Sequence, residues 1–162
     1  MKIIAIMITK LAAFGLRLIG RGGSLPGTIA LKIDPNILQK LQMSGPIVLV
    51  TGTNGKTSTA NMLTEAFLAD GKHVISNRKG DNLLAGVTTT MLTNADLRGR
   101  IKADAAVLEV DELNIPYIIK GLPVSALVVT NFFRDQLDRA KEMEQLISRI
   151  ENSISDFKGM LI

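Results

Sequence analysis

Residues 51–58 read Thr-Gly-Thr-Asn-Gly-Lys-Thr-Ser and follow directly on the apolar run Ile47–Val50. Glycines at 52 and 55 let the backbone curl until its N–H groups point at one anion. A helix leaving such a turn adds its positive N-terminal end. Lys56 would then place a cation on the β/γ-phosphates of a nucleotide, and the Thr57 hydroxyl would ligate Mg²⁺. Gly52, Thr53, Asn54, Gly55, Lys56, Thr57 and Ser58 are therefore expected to hold the phosphates of a nucleoside triphosphate, with magnesium. The longer form of this loop has a further glycine five positions before the second one; Val50 stands there, so the motif is the shortened Gly52–Thr57.

Such chemistry also needs a hard oxygen ligand for the metal. Glu109 stands near the end of the apolar stretch Ala103–Val110, followed by Asp111 and Glu112. Side chains two apart share a face while a strand stays extended. We expect Glu109 to serve the metal and Asp111 or Glu112 to cap the next helix. His73, the single histidine, reads as an ordinary strand-entry residue.

The elements that must position these groups alternate. Ile47–Thr51, His73–Ser76, Ala103–Val110 and Val124–Thr130 read as strands, and Met160–Ile162 as the start of another. Helices are expected over Pro35–Met43 (N-capped by Asp34), Lys56–Asp70, Leu83–Leu92, Asp111–Lys120 and Arg139–Phe157. Met62, Leu63, Ala66 and Phe67 would form the buried stripe of the second, with Gly71 just past its end. Gly20–Gly27 reads as a loop, and Gly80-Asp81-Asn82 as a turn. This order predicts an α/β fold, a mostly parallel sheet flanked by helices in the manner of P-loop NTPases. In such sheets ligands bind beyond the carboxyl ends of the strands, where the glycine-rich loop, Glu109 and Asn131 should converge.

Composition narrows the class. The 162 residues are 46% hydrophobic, which argues against disorder, and only 4% aromatic, a poor basis for stacking nucleic-acid bases. A formal charge of +4 needs no partner beyond a phosphate-rich ligand, and no nucleic-acid partner is expected. The chain has no cysteine, which excludes disulfides and cysteine-held zinc within it and fits a cytoplasmic setting. Met1–Ile19 is a broadly apolar helix interrupted by Lys2, Lys10 and Arg17. At about 100° per residue those charges fall within an arc of roughly 80°. Two uses stay open for it: docking on the domain or a partner, or resting on an anionic membrane surface. Residues 1–43 are thus expected to form an N-terminal extension, and 44–162 the nucleotide-binding domain.

With these motifs assembled, the chain resembles the Mur ligases and folylpolyglutamate synthetases, ATP-dependent acid–amine ligases, through Thr51–Thr57. Within that group the resemblance narrows to the MurT type of lipid II isoglutaminyl synthase subunit. It is carried by Arg21-Gly22-Gly23 with Pro26-Gly27, Leu108–Glu112, and Thr130–Arg139. Many Mur ligases have Asp-His-Leu-Asp in the last motif, their histidine near magnesium; Gln136 stands in its place here, as in MurT-like proteins.

The resemblance implies transfer of the ATP γ-phosphate to a carboxylate, giving an acyl phosphate that an amine attacks. For the MurT type it implies amidation of the D-glutamate α-carboxyl of lipid II, with ammonia from a GatD-like glutaminase partner. It makes Lys56 and Glu109 catalytic, Thr57 and Glu109 metal-binding, Asn131 nucleotide-binding, and Asn82 a weaker candidate for substrate contact. Other ligases of the superfamily, or a nucleotide-binding module without catalysis, are the alternatives. The family's closing C-terminal domain and the four-cysteine insert of MurT-like proteins are not in this sequence. The chain is therefore expected to be an N-terminal portion of such a ligase that, alone, binds nucleotide weakly and catalyses no ligation.

Overall fold

A computed structural model describes residues 1–18, 23–77, 81–131, 148, 150–152, 154, 155 and 157–162. Its centre is a five-stranded sheet in the order β3-β5-β2-β6-β7. The strands are β2 (Ile47–Thr51), β3 (Val74–Ser76), β5 (Ala105–Glu109), β6 (Ala126–Val129) and β7 (Met160–Leu161), and every neighbouring pair is parallel. The expected α/β fold with its parallel sheet is thus present. A separate two-stranded parallel ladder, β1 (Gln42–Met43) with β4 (Arg100–Ile101), was not foreseen.

Helices α1 (Lys2–Leu18), α2 (Leu25–Ile33), α3 (Lys56–Ala69), α4 (Leu84–Asn94) and α5 (Ile115–Gly121) surround the sheet. Alternation along the strands divides the core in two. Ile47 and Leu49 of β2, Ala106 and Leu108 of β5, and Leu127 of β6 join a large cluster with Ala5, Ile6, Ala30, Val87, Met91, Ile115 and Ile118. The opposite parity, Val50 and Val107, packs on Ala60 of α3 in a small cluster flanked by Leu63 and Phe67.

Four local expectations are corrected. Leu25–Ile33 is helical although Gly20–Gly27 reads as a loop. Pro26 sits in the helix's first turn, where its missing N–H costs nothing. Gly27 is there for close packing, since a Cβ would stand 1.9 Å from the Ala85 carbonyl oxygen of α4. Second, Pro35–Met43 is not a helix: only a 3₁₀ turn, Leu38–Lys40, precedes β1. Asp34 ends α2 instead of starting a helix, and its buried carboxylate pairs with Lys40 Nζ at 2.6 Å.

Third, Met62 is 73% exposed and Ala66 also faces solvent. The inward line of α3 is Ala60, Leu63, Thr64 and Phe67, one position round from the expected stripe. Fourth, the helix expected from Asp111 starts as a 3₁₀ turn, Glu112–Asn114, before α5.

The helix expected over Arg139–Phe157 lies outside the described residues up to 147, as does most of the Thr130–Arg139 motif, Gln136 included. Residues 148, 150–152 and 154 are helical, and Ile150 is buried in the large cluster. Gly80 of the expected turn and Arg21-Gly22 also lie outside the described residues.

Candidate functional site

The shortened loop joins β2, the middle strand, to α3. Gly52 and Gly55 have φ of +127° and +84°, a region that side chains with a Cβ disfavour. Gly52 is doubly required, because a Cβ there would lie 2.2 Å from Thr130 Oγ1 and 2.7 Å from the Asn131 carbonyl oxygen. That crowding comes from the segment leaving β6, which holds the loop from the side. Thr53 N donates to Asn131 O at 2.8 Å, and Asn54 N donates to Asn131 Oδ1 at 3.0 Å. Asn131 Nδ2 and Thr130 Oγ1 both donate to Asn54 O, at 3.0 and 2.7 Å. Asn131 therefore braces the loop through its own side chain.

The third strand end meets α3 across the loop. Register pairs Val50 with Glu109, so the acid lies level with the last residues of β2. Its parity is that of Val107, which turns it toward the α3 side. Glu109 is only 6% exposed, and Thr57 Oγ1 donates to its Oε2 at 2.8 Å. Asn82 Nδ2 is 3.4 Å from Oε1. The backbone of Glu109 is fixed by Asn77, whose Oδ1 accepts from Glu109 N and whose Nδ2 donates to Glu109 O, both at 2.8 Å. Glu109 thus has a set position and a side chain whose oxygens face Thr57 and Asn82.

Lys56 is the first residue of α3. Its Nζ donates to the Gly52 carbonyl, to Thr53 O at 3.3 Å, and to Glu112 Oε1 at 3.4 Å. The ammonium is thus folded back over the loop and paired with an acid from the turn after β5. Asp111, not Glu112, caps that turn: its Oδ1 accepts from Leu113 N at 3.1 Å.

All the residues expected from the sequence, Gly52 to Ser58, Asn82, Glu109 and Asn131, therefore gather at one end of the sheet. Thr57 and Ser58 are exposed there. Two further residues, Asn77 and Thr130, were missed, and so was the contact of Glu112 with Lys56. Asn77, directly after β3, could have been found by the rule that places sites at carboxyl ends of strands. The Glu112 contact leaves no sequence signal, because it depends on how the turn after β5 is wound.

Among the described residues no cluster of three or more His, Cys, Asp or Glu is placed to hold a metal by protein groups alone. Mg²⁺ asks for less. It usually keeps several waters and takes one or two protein oxygens beside phosphate oxygens. A hydroxyl and a carboxylate already within hydrogen-bond distance, Thr57 and Glu109, fit that donor set.

Comparison with known proteins gives the following. Residues 50–155 match the family model of the Mur ligase middle domain. The chain is 40% identical over 158 residues to the MurT subunit of the glutamine-hydrolysing lipid II isoglutaminyl synthase of Staphylococcus aureus, covering 96% of this chain and 35% of that protein. It is 39% identical over 141 residues to the same subunit of Streptococcus pneumoniae, covering 87% and 31%. A UDP-N-acetylmuramoylalanine–D-glutamate ligase of Alkaliphilus oremlandii is 32% identical over 102 residues, covering 62% and 20%. The chain thus spans about a third of the length of the MurT subunits it matches.

Proposed function

The chain belongs to the Mur ligase family, through that family's middle domain, and we propose that it forms the ATP-binding part of an amide-forming ligase. The observation that carries this reading is the hydrogen bond from Thr57 to Glu109 at the mouth of a glycine loop whose lysine lies alongside. The acceptor of the phosphoryl group is a carboxylate, by likeness to the relatives. Two anions must then be brought together, and the site's cations exist to offset their repulsion. Lys56 would turn from the loop carbonyls to the phosphates. Magnesium, held by Thr57 and Glu109, would supply further positive charge on the transferred group. Asn131 holds the loop backbone curled by taking the N–H groups of Thr53 and Asn54, and the N–H groups from Gly55 onward would face the anion.

The substrate proposed is the D-glutamate α-carboxyl of a lipid II-type precursor, amidated with ammonia from a GatD-like glutaminase subunit. Support comes from the relatives, which are named as subunits of a glutamine-hydrolysing lipid II isoglutaminyl synthase. Residues 1–43 are proposed as an N-terminal extension to the ATP-binding domain of 44–162, acting on the cytoplasmic side.

The nucleotide reading is tested by Lys56→Ala with fluorescent MgATP titration. Loss of one charge-assisted phosphate contact is worth about 1.5–3 kcal/mol, so affinity should fall by roughly 10- to 100-fold. Unchanged affinity would reject the site.

Contact with a membrane surface is proposed for α1. No helix among the described residues is long and apolar enough to cross a bilayer. Ala5, Ile6 and Ala13 face the domain, while Ile4, Met7, Leu11, Phe14 and Leu18 form an exposed line at helical spacing. Lys2 and Lys10 donate to the carbonyls of Arg98 and Thr93, which leaves Arg17 as the exposed cation beside that line. Deleting α1 would also strip Ala5 and Ile6 from the core, so the cleaner variant is Leu11→Asp with Phe14→Asp. It should abolish flotation with phosphatidylglycerol vesicles while leaving the melting temperature unchanged. Equal flotation of both proteins, or no flotation of either, rejects the contact.

A further inference from the structure

The Glu112 carboxylate is the one charged partner of Lys56 among the described residues that the nucleotide reading does not use. The two side chains are 15% and 14% exposed, so the pair is shielded from most of the solvent screening that weakens surface pairs. Glu112 is presented by a braced turn. Asp111 Oδ1 accepts from Leu113 N at 3.1 Å and from Asn114 Nδ2 at 3.2 Å, and Asn114 Oδ1 accepts from Leu84 N at 3.1 Å. Asp111 N also donates to Asn82 O at 2.9 Å. The carboxylate is therefore set at this place by the loops after β3 and β5 together.

We infer that Glu112 is a positioning residue for Lys56, holding the ammonium against the loop's own carbonyls until phosphate oxygens take it over. The inference rests on the nucleotide reading above. Its physical content is a competition between two anions for one cation. When a triphosphate enters, Lys56 leaves Glu112, and a half-shielded carboxylate is left close to a polyanion. Both changes oppose binding, so Glu112 weakens nucleotide affinity while it keeps the lysine in place. A negative charge at this point also favours release of the nucleotide product, which carries the same β-phosphate.

The sign separates this role from a metal or phosphate ligand, whose loss would weaken binding. Glu112→Gln keeps the shape and removes the charge. MgATP titration should show binding tighter by about twofold to fivefold, the upper part of the span measured for ion pairs near a protein surface. Asp70→Asn removes one negative charge from the far end of α3, where the exposed side chain lies 3.8 Å from Lys72 Nζ; it should change affinity by less than about twofold, since solvent and salt screen a charge at that distance. A second measurement needs no nucleotide: acylation of Lys56 by an amine-reactive ester, read by peptide mass spectrometry against the other lysines, should rise in Glu112→Gln. Unchanged or weaker MgATP binding by Glu112→Gln overturns the inference, and so does equal tightening by Asp70→Asn. Unchanged Lys56 labelling overturns it whatever the nucleotide does. Failure of Lys56→Ala to weaken MgATP would instead strike the nucleotide reading on which the inference rests.

Discussion

The two faces of the central sheet differ in how much they bury and in what they carry. One belongs to the large cluster, where strand residues such as Leu49 and Leu108 meet apolar side chains from α1, α2, α4 and α5. The other meets α3, whose fully buried residues are only Ala60 and Thr64. The chemistry sits on the second. Glu109 has the parity of Val107, and at the strand end a carboxylate replaces the valine because α3 offers Thr57 there instead of an apolar partner. Small residues bring α3 close to the strands, and its first turn delivers Lys56 and Thr57 to the sheet's edge. The fold thus places most of its apolar contact on one side and leaves the other free to be polar at its end.

The comparison predicts that stability and binding respond to different residues. Met91, in mid-α4, is fully buried in the large cluster. Met91→Ala should cost about 2–5 kcal/mol, from lost burial and the cavity left behind. Thermal denaturation should then shift by on the order of 10 °C. MgATP affinity of the folded fraction should stay within about twofold, because α4's middle contributes nothing at the loop. A loss under about 1 kcal/mol would break the claim that this face carries the stability.

The polar face was the more legible of the two, for a physical reason. A phosphate loop is a contiguous stretch, so Gly52, Gly55, Lys56 and Thr57 declare themselves by order alone. Glu109 was legible because an acid ending an apolar strand has few structural reasons to be there. What went unread depends on packing between distant segments. The line of α3 was set one position off because Met62 with Ala66 and Ala60 with Thr64 flank Leu63 and Phe67 on opposite sides, and only the closeness of the sheet selects the side with the small residues. Pro26-Gly27 reads locally as a break, yet α4 needs a glycine there and the first helical turn tolerates the proline. Asp34-Pro35 fits the start of a helix equally well, but Asp34 N donates to Ala30 O in the last turn of α2, and its carboxylate pairs with Lys40 instead of capping a new helix. Glu112 reaches Lys56 only because the turn after β5 is 3₁₀ and braced by Asp111 and Asn114.

A smaller perturbation sharpens the contrast. Leu63 is partly buried on the α3 side, against the cluster of Val50, Ala60 and Val107. Truncating a partly exposed leucine there should cost about 1–2 kcal/mol, less than Met91→Ala, since fewer contacts are lost and solvent can fill the gap. The same helix carries Lys56 and Thr57, so a small shift of α3 moves both against Glu109, whose backbone Asn77 holds still. Leu63→Ala should therefore weaken MgATP by a few-fold in titration, where the more damaging Met91→Ala does not. If Leu63→Ala destabilises as much as Met91→Ala and leaves binding alone, the division of labour between the faces fails. If it behaves as expected, α3 is the element through which packing reaches the nucleotide.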